Sequence, residues 1–238
     1  MIIEAIKFSN SSGNYDIYHD NSYVFRGQRS LYFNIKDILL LKEQEVYIWA
    51  RYKFVNPFNY IPFLNFLGFR KNNRKFIVYD DLTPIATFSY ETKFHKSRYK
   101  IVLSNSDVLY AYIYYKKGFY YLSIYKNVHK EEKQIALVEK QIHSSELNQK
   151  CKFYLLDEYK DLANVLSIFL LYFEGKITPP RIRIHIGPFG GSVSMGFNNY
   201  NAYNIPLFNS YSEKYNPTWR EVNFPNENFW GPINIENN

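Results

Sequence analysis

The feature that most constrains this fold is an apolar segment near residues 158–174. Between Leu162 and Phe173 only Asn164 and Ser167 are polar, so a helix here has no solvent-facing side and must lie in a protein core or in a bilayer. Fifteen helical residues extend about 22 Å, whereas the hydrocarbon core of a bilayer is about 30 Å thick. The segment is therefore predicted to be a helix buried inside the protein.

The residues around this segment indicate where the helix begins and ends. Asp157 is a predicted N-cap, and further acidic residues follow in the first turn, where the helix dipole favours negative charge. Gly175, followed by two prolines at 179–180, predicts the end of the helix. We place the boundary of a first domain, residues 1–176, just after it.

The residues before the helix predict a series of antiparallel hairpins. Aromatic residues make up 20% of the chain, which favours strands over helices. Apolar stretches are interrupted by polar turns at 80–84, 104–107 and 126–133, a spacing that successive hairpins produce. The predicted strands and hairpins occupy residues 23–32, 37–41, 45–55, 75–88, 99–115, 119–142 and 151–156. A closed sheet would surround the helix and leave no exposed strand edge, so we expect a mainly β fold: an antiparallel barrel wrapped around one central hydrophobic α-helix.

Three segments carry a resemblance to a known family: "IVYDDLTPIATF", "IVLSNSDVLYAYI" and "DLANVLSIFLLYF". Hairpins with Asp- and Asn-rich turns, followed by a strand and an apolar helix, resemble the tubby C-terminal-like superfamily, which includes tubby, the phospholipid scramblases and the LURP-one-related proteins. The resemblance covers about residues 15–176. It implies a barrel of roughly twelve strands around the apolar helix, and peripheral binding to anionic membrane lipid.

Positive charge is the clearest functional signal in the sequence. The net charge is +7, and the four basic residues of 177–238 balance its four glutamates, so the excess lies in residues 1–176. Two runs without acidic residues, "RKNNRK" and "KFHKSRYK", flank the first clear hairpin. Such clusters bind phosphates on lipids or nucleic acids, or are simply solvated surface. The predicted anionic-ligand-binding residues are Arg70, Lys71, Arg74, Lys75, Lys93, Lys96, Arg98 and Lys100.

An aromatic segment, residues 54–69, comes just before the first basic run. It is short and broken by proline, so it cannot span a bilayer. An aromatic loop with basic flanks can insert into the membrane interface, and the other interpretation is a loop or short helix that caps the barrel. The predicted membrane-interface residues are Phe58, Tyr60, Phe63 and Phe66.

No pattern in the sequence predicts catalysis, a metal site or a cofactor. The five histidines lack the spacing of metal ligands, and the glycines of 187–196 match no phosphate-binding loop. Cys151, the single cysteine, has no supporting catalytic signature and indicates a reduced, partly buried thiol. We expect a non-enzymatic binding protein without a cofactor, cytoplasmic and, when bound to lipid, peripheral at the membrane.

The segment 177–238 has a different composition, rich in asparagine and aromatic residues. Because a typical disordered tail has few aromatics, we expect an extension packed on the barrel or on a partner, either another protein or a second copy. Two alternatives to lipid binding remain open. One is a protein-interaction module that uses this extension, such as an inhibitor, an immunity protein or an assembly protein. The other is single-stranded nucleic-acid binding by the same lysines together with tyrosine stacking.

Overall fold

Twelve antiparallel strands form one closed barrel, which confirms the predicted fold class. The computed structural model describes residues 1–7, 13–29, 37–53, 75–93, 96–116, 119–128, 131–141, 149–177, 184–186, 191–193 and 209–227. Each strand pairs with its neighbours in sequence, and β1 pairs with β12 to close the barrel. The strands are β1 Ile2–Lys7, β2 Asn14–His19, β3 Ser22–Arg29, β4 Asp37–Lys42, β5 Glu45–Lys53, β6 Lys75–Asp80, β7 Thr83–Lys93, β8 Lys96–Leu103, β9 Val108–Lys116, β10 Phe119–Val128, β11 Glu131–Gln141 and β12 Gln149–Leu155.

The remaining elements follow the barrel strands in the chain. A 3-10 helix, Asp157–Leu162, leads into the central helix α1, Ala163–Ile177. Two short strands, β13 Ile184–Ile186 and β14 Gly191–Val193, pair with each other. A 3-10 turn, Ser212–Lys214, and a short helix α2, Trp219–Asn223, lie near the end of the described chain. No helix in these ranges is long and apolar enough to cross a membrane.

The barrel strands alternate between buried inward residues and more exposed outward residues. In β8, for example, Ser97, Tyr99, Ile101 and Leu103 are buried, whereas the residues between them are not. This two-residue period is that of a sheet with one face on a core. Closure then pairs both sides of every barrel strand, which removes the edges that favour aggregation.

The central helix α1 fills the interior of the barrel, as its lack of a polar face predicted. The run from Val165 to Phe173 is buried on all sides of the helix. The Phe169 ring lies 5.2 Å from the Phe88 ring and 5.8 Å from the Tyr99 ring, both on the inner face of the sheet. A Cβ on Gly27 would lie 2.6 Å from Leu171, so this glycine lets β3 approach the helix closely.

The start and end of the helix differ from the prediction. Tyr159 interrupts the helical conformation of the first turn, and the Asp157 carboxylate accepts a hydrogen bond from the Met1 amino group at 2.6 Å instead of capping the helix. At the other end, α1 continues through Gly175 to Ile177. Glycine in a helix costs only about 1 kcal/mol, which the burial of this helix outweighs.

Two other details of the strands also differ. The strands β1 and β2 were not predicted, and the predicted turn at 126–133 is shorter, because β10 extends to Val128 and β11 starts at Glu131. Among the described residues, Lys126, Glu131, Glu132 and Lys133, which suggested a long turn, belong to the ends of these two strands.

Residues 209–227 lie on the outer face of β9–β12 and cover a second apolar cluster. Tyr215 stacks on Tyr114 with ring centroids 4.3 Å apart, and Trp219 is buried beside Tyr121 and Tyr154. The Asn209 side chain accepts a hydrogen bond from the Tyr115 N–H and donates one to its carbonyl, at 2.7 and 3.2 Å. This segment therefore explains why these strands carry aromatic residues on their outer faces.

Replacing Phe169 by alanine should lower the free energy of unfolding by about 3–5 kcal/mol, because it opens a cavity between α1 and the sheet. The control is Leu82→Ala at an exposed turn, which should change stability by less than about 0.5 kcal/mol. Urea unfolding measures both. Equal effects of the two substitutions would contradict the central position of the helix.

Replacing Trp219 by alanine should release residues 209–227 from the barrel, because Trp219 is 7% exposed and anchors the outer cluster. Val222 lies on the same helix and is 74% exposed, so Val222→Ala is the matched control. We expect faster limited proteolysis and a lower melting temperature for Trp219→Ala only. Identical protease patterns for both variants would show that the segment does not depend on this anchor.

Candidate functional site

Basic residues terminate seven of the twelve barrel strands at one end, which we call the basic end. Because adjacent strands are antiparallel, residues that are far apart in sequence meet there. These terminal residues are Lys7, Arg29, Lys53, Lys75, Lys93, Lys96 and Lys116.

The opposite end carries mainly acidic residues, and we call it the acidic end. The connections between strands there contain Asp20, Glu43, Asp81 and Asp107. The strand-terminal residues at the same end include Glu45, Asp80 and Glu131. The barrel is therefore polarised along its axis, which neither basic run alone indicated.

Strand register brings the two predicted basic runs together on the outer surface. Lys75 lies opposite Ser89 of β7, and Ser89 lies opposite Lys100 of β8. Lys53 lies on the other side of Lys75. Since neighbouring strands are about 4.8 Å apart, the Cα atoms of Lys75 and Lys100 are separated by roughly 10 Å.

The charges of the second run are partly compensated by carboxylates. Glu91 accepts from Arg98 at 3.1 Å and lies 3.9 Å from the Lys100 ammonium group. Burial lowers the pKa of Arg98, but hydrogen bonds with Tyr112 and Glu91 outweigh it and hold this pKa above its usual value. Arg98 is thus fixed in the sheet surface and contributes less to a free anion site than the sequence predicted.

Lys96 forms an ion pair with a carboxylate, whereas Lys75 does not. The Lys96 ammonium lies 3.8 Å from Glu213 and 5.0 Å from the Tyr211 ring, so it also holds the C-terminal segment. Lys75 is exposed and forms no ion pair within the described part of the chain. Among the predicted residues with described side chains, Lys75 is the one best placed to bind an external anion.

Seven predicted site residues lie outside the described residues, and for Lys93 only the backbone is described. The segment 54–74 leaves β5 at Lys53 and returns to β6 at Lys75, so both of its attachment points are at the basic end. The seven residues are Arg70, Lys71, Arg74, Phe58, Tyr60, Phe63 and Phe66.

Sequence reasoning missed the isolated cations at the basic end. Lys7, Arg29 and Lys116 belong to neither basic run, and the antiparallel order of the strands places them at the same end of the barrel. The one available signal was their position as the last residue of a strand. That signal requires the strand ends to be known within one residue.

A buried ion pair lies inside the barrel near the basic end. Lys140 of β11 donates a hydrogen bond to Glu174, close to the end of α1, and both side chains are almost fully buried. The pair joins the inner face of β11 to α1.

Cys151 lies next to this ion pair and is buried. It faces Lys140 across β11 and β12 and is fully enclosed, more so than the predicted partly buried thiol. Burial raises the pKa of the thiol, which disfavours the reactive thiolate.

A second buried ion pair joins the C-terminal segment to the outer face of the barrel. Arg220 Nε lies 3.6 Å from Glu139, and both side chains are almost completely covered. Burial raises the pKa of Glu139 to about 6, although Arg220, a hydrogen bond with Tyr154 and Lys152 act in the opposite direction. The desolvation of this carboxylate therefore exceeds the attraction of its partners.

No group of three or more His, Cys, Asp or Glu side chains in the described ranges is arranged to hold a metal ion. In comparisons with known proteins, no family model, no curated protein and no solved structure matches this chain. The functional interpretation therefore depends on the chain's own residues.

Lowering the pH from about 7 to about 5 should stabilise the protein relative to Glu139→Gln. The native pKa of about 6 is above the ordinary value of 4.5, so the folded state favours the protonated carboxyl. This stabilisation is fully present below the unfolded pKa and is lost as the pH rises through about 6; it amounts to at most about 2 kcal/mol. Urea unfolding of both proteins across this range measures it. A difference that does not change with pH would contradict the assignment.

Proposed function

We propose that this protein is a non-enzymatic binding protein that associates peripherally with anionic membrane lipid through the basic end of its barrel. The observation that supports this most directly is the separation of charge, with the exposed lysines Lys75, Lys96 and Lys116 at strand termini of one end and carboxylates in the turns of the other. Each Lys or Arg near an anionic surface contributes about 1 kcal/mol, so several together give reversible attachment.

The path of the chain also supports this proposal. The aromatic segment that contains Phe58, Tyr60, Phe63 and Phe66 is attached at Lys53 and Lys75, between cations of the basic end. Aromatic side chains beside lysines are typical of membrane interfaces. Membership of the tubby C-terminal-like superfamily, with its lipid-binding function, is part of the same proposal.

The described contacts favour lipid binding over the protein-interaction alternative. The aromatic residues of 209–227 pack on the chain's own barrel, which occupies them in this arrangement.

Reversing two exposed lysines at the basic end should weaken binding to acidic liposomes. We expect Lys75→Glu with Lys116→Glu to reduce affinity at least about thirtyfold, because about 2 kcal/mol or more of surface attraction is lost. The matched control is Lys42→Glu with Lys160→Glu, which changes net charge equally but at the acidic end. Co-sedimentation with acidic and with neutral liposomes measures binding, and melting curves verify folding.

The contrast between the two double variants is what tests the proposal. Added salt should also weaken binding, since the attraction is screened over about 8 Å at physiological ionic strength. Equal losses in both variants would indicate a dependence on net charge alone. Equal binding to neutral and acidic liposomes would rule out recognition of anionic lipid.

A further inference from the structure

The apolar side chains that the barrel leaves exposed are concentrated at its acidic end. Among the described residues, the large hydrophobic side chains that are clearly exposed are Tyr23, Val46, Tyr47, Leu82 and Val222. All except Val222 lie at the acidic end, on the β2–β3, β4–β5 and β6–β7 hairpins, with exposures of 54%, 54%, 40% and 80% in chain order. We call these four residues the apolar rim. Clustered exposed apolar residues mark contact surfaces.

The three hairpins are neighbours in the barrel, so the residues of the apolar rim lie on one side of this end. Strands β2 to β7 follow one another around the sheet without a crossover. Tyr47 stacks on the ring of Phe25, and Tyr23 meets Tyr18 edge to face. These contacts hold the exposed rings in fixed positions, which reduces the entropy lost when a partner binds them.

Carboxylates surround the apolar rim. The same three turns contain Asp20, Glu43, Glu45, Asp80 and Asp81, against one lysine, Lys42. Asp20 accepts a hydrogen bond from the Ile2 N–H at 2.6 Å. The other four carboxylates form no ion pair with the described residues, so their charge is available to an external cation.

The backbone of the β4–β5 turn holds an acidic residue at a costly position. Glu43 has φ 53° and Gln44 has φ 71°, a left-handed conformation in which Asn and Gly are strongly preferred. Each non-glycine residue in this conformation lowers the folding stability by roughly 1 kcal/mol. The turn therefore carries an exposed carboxylate, Glu43, at some expense of stability.

Carboxylates next to tyrosine rings bind ammonium and guanidinium groups, through charge-assisted hydrogen bonds and cation–π contacts. The chain itself displays such groups at its basic end. We propose that the acidic end, with its apolar rim, binds the basic end of a second copy, so that molecules associate head to tail. This contact is heterologous and leaves one free end of each kind on every assembly.

Self-association would use the same basic end as lipid binding, but it does not require lipid. A basic end held at a membrane is covered, so acidic liposomes compete with self-association. The net charge of +7 repels other copies at a distance, so we expect weak, reversible association.

Sedimentation velocity over a range of protein concentrations tests the proposal. The acidic-end variant is Asp80→Asn, Asp81→Asn and Leu82→Ser, and the basic-end variant is Lys75→Gln with Lys116→Gln. Neutral replacements are chosen so that no new attraction arises between the two altered ends. We expect the unaltered protein to form concentration-dependent oligomers at about 50 mM salt, and each variant alone to associate at least about tenfold more weakly.

An equimolar mixture of the two variants gives the decisive result. Each retains the end that the other lacks, so the mixture should form a one-to-one heterodimer and nothing larger. Val222→Ser, which alters an exposed apolar residue outside the rim, should associate like the unaltered protein. The acidic-end variant should also bind acidic liposomes normally, which separates this inference from the proposed function.

Three results would overturn the head-to-tail contact. The unaltered protein would remain monomeric at all concentrations at low salt, or the acidic-end variant would associate as strongly as the unaltered protein. In the third case the mixture of variants would contain only monomers. Melting curves of all proteins exclude unfolding as the cause of a negative result.

Discussion

The barrel depends on the contact between α1 and the inner face of the sheet. A helix without a polar side must be enclosed on every side, and an antiparallel sheet can do this only by closing on itself. The inward positions of the strands are accordingly mostly apolar, and β3 carries a residue without a side chain, Gly27, where a Cβ would clash with Leu171 of the helix. One sequence property, the apolar run of 162–173, thus imposes conditions on all twelve strands.

Filling the interior with a helix also determines where recognition can occur. Barrels of the lipocalin type bind ligands in the space that α1 occupies here. In the described part of this chain, the groups available to a partner lie on the outer faces and at the two ends. The outer face of β9–β12 is covered by 209–227, which leaves the outer faces of the other strands and the two ends of the barrel.

Sequence reasoning predicted the fold from features that are local and independent of context. The length of the apolar helix, its missing polar face and the Asp- and Asn-rich turns all act over a few residues. The prediction was wrong where contacts between residues distant in sequence determine the local structure. The Asp157 carboxylate binds the Met1 amino group, which is distant in sequence, instead of capping the helix, and the apolar pattern of β1 is interrupted by Glu4 and Lys7. At the candidate site, the two basic runs were visible in the sequence, whereas the isolated strand-terminal basic residues share one end of the barrel only because successive strands are antiparallel.

Cys151 gives this fold an intrinsic chemical probe. Its side chain faces the interior from β12, directly opposite Ala5 of β1, at the junction where the first and last barrel strands meet. Alkylation requires both a thiolate and access for the reagent, and burial denies both in the closed barrel. Modification of the native protein must therefore proceed through states in which this part of the barrel is open. With a single cysteine in the chain, the labelling rate reports the population or the rate of that opening without any engineered residue.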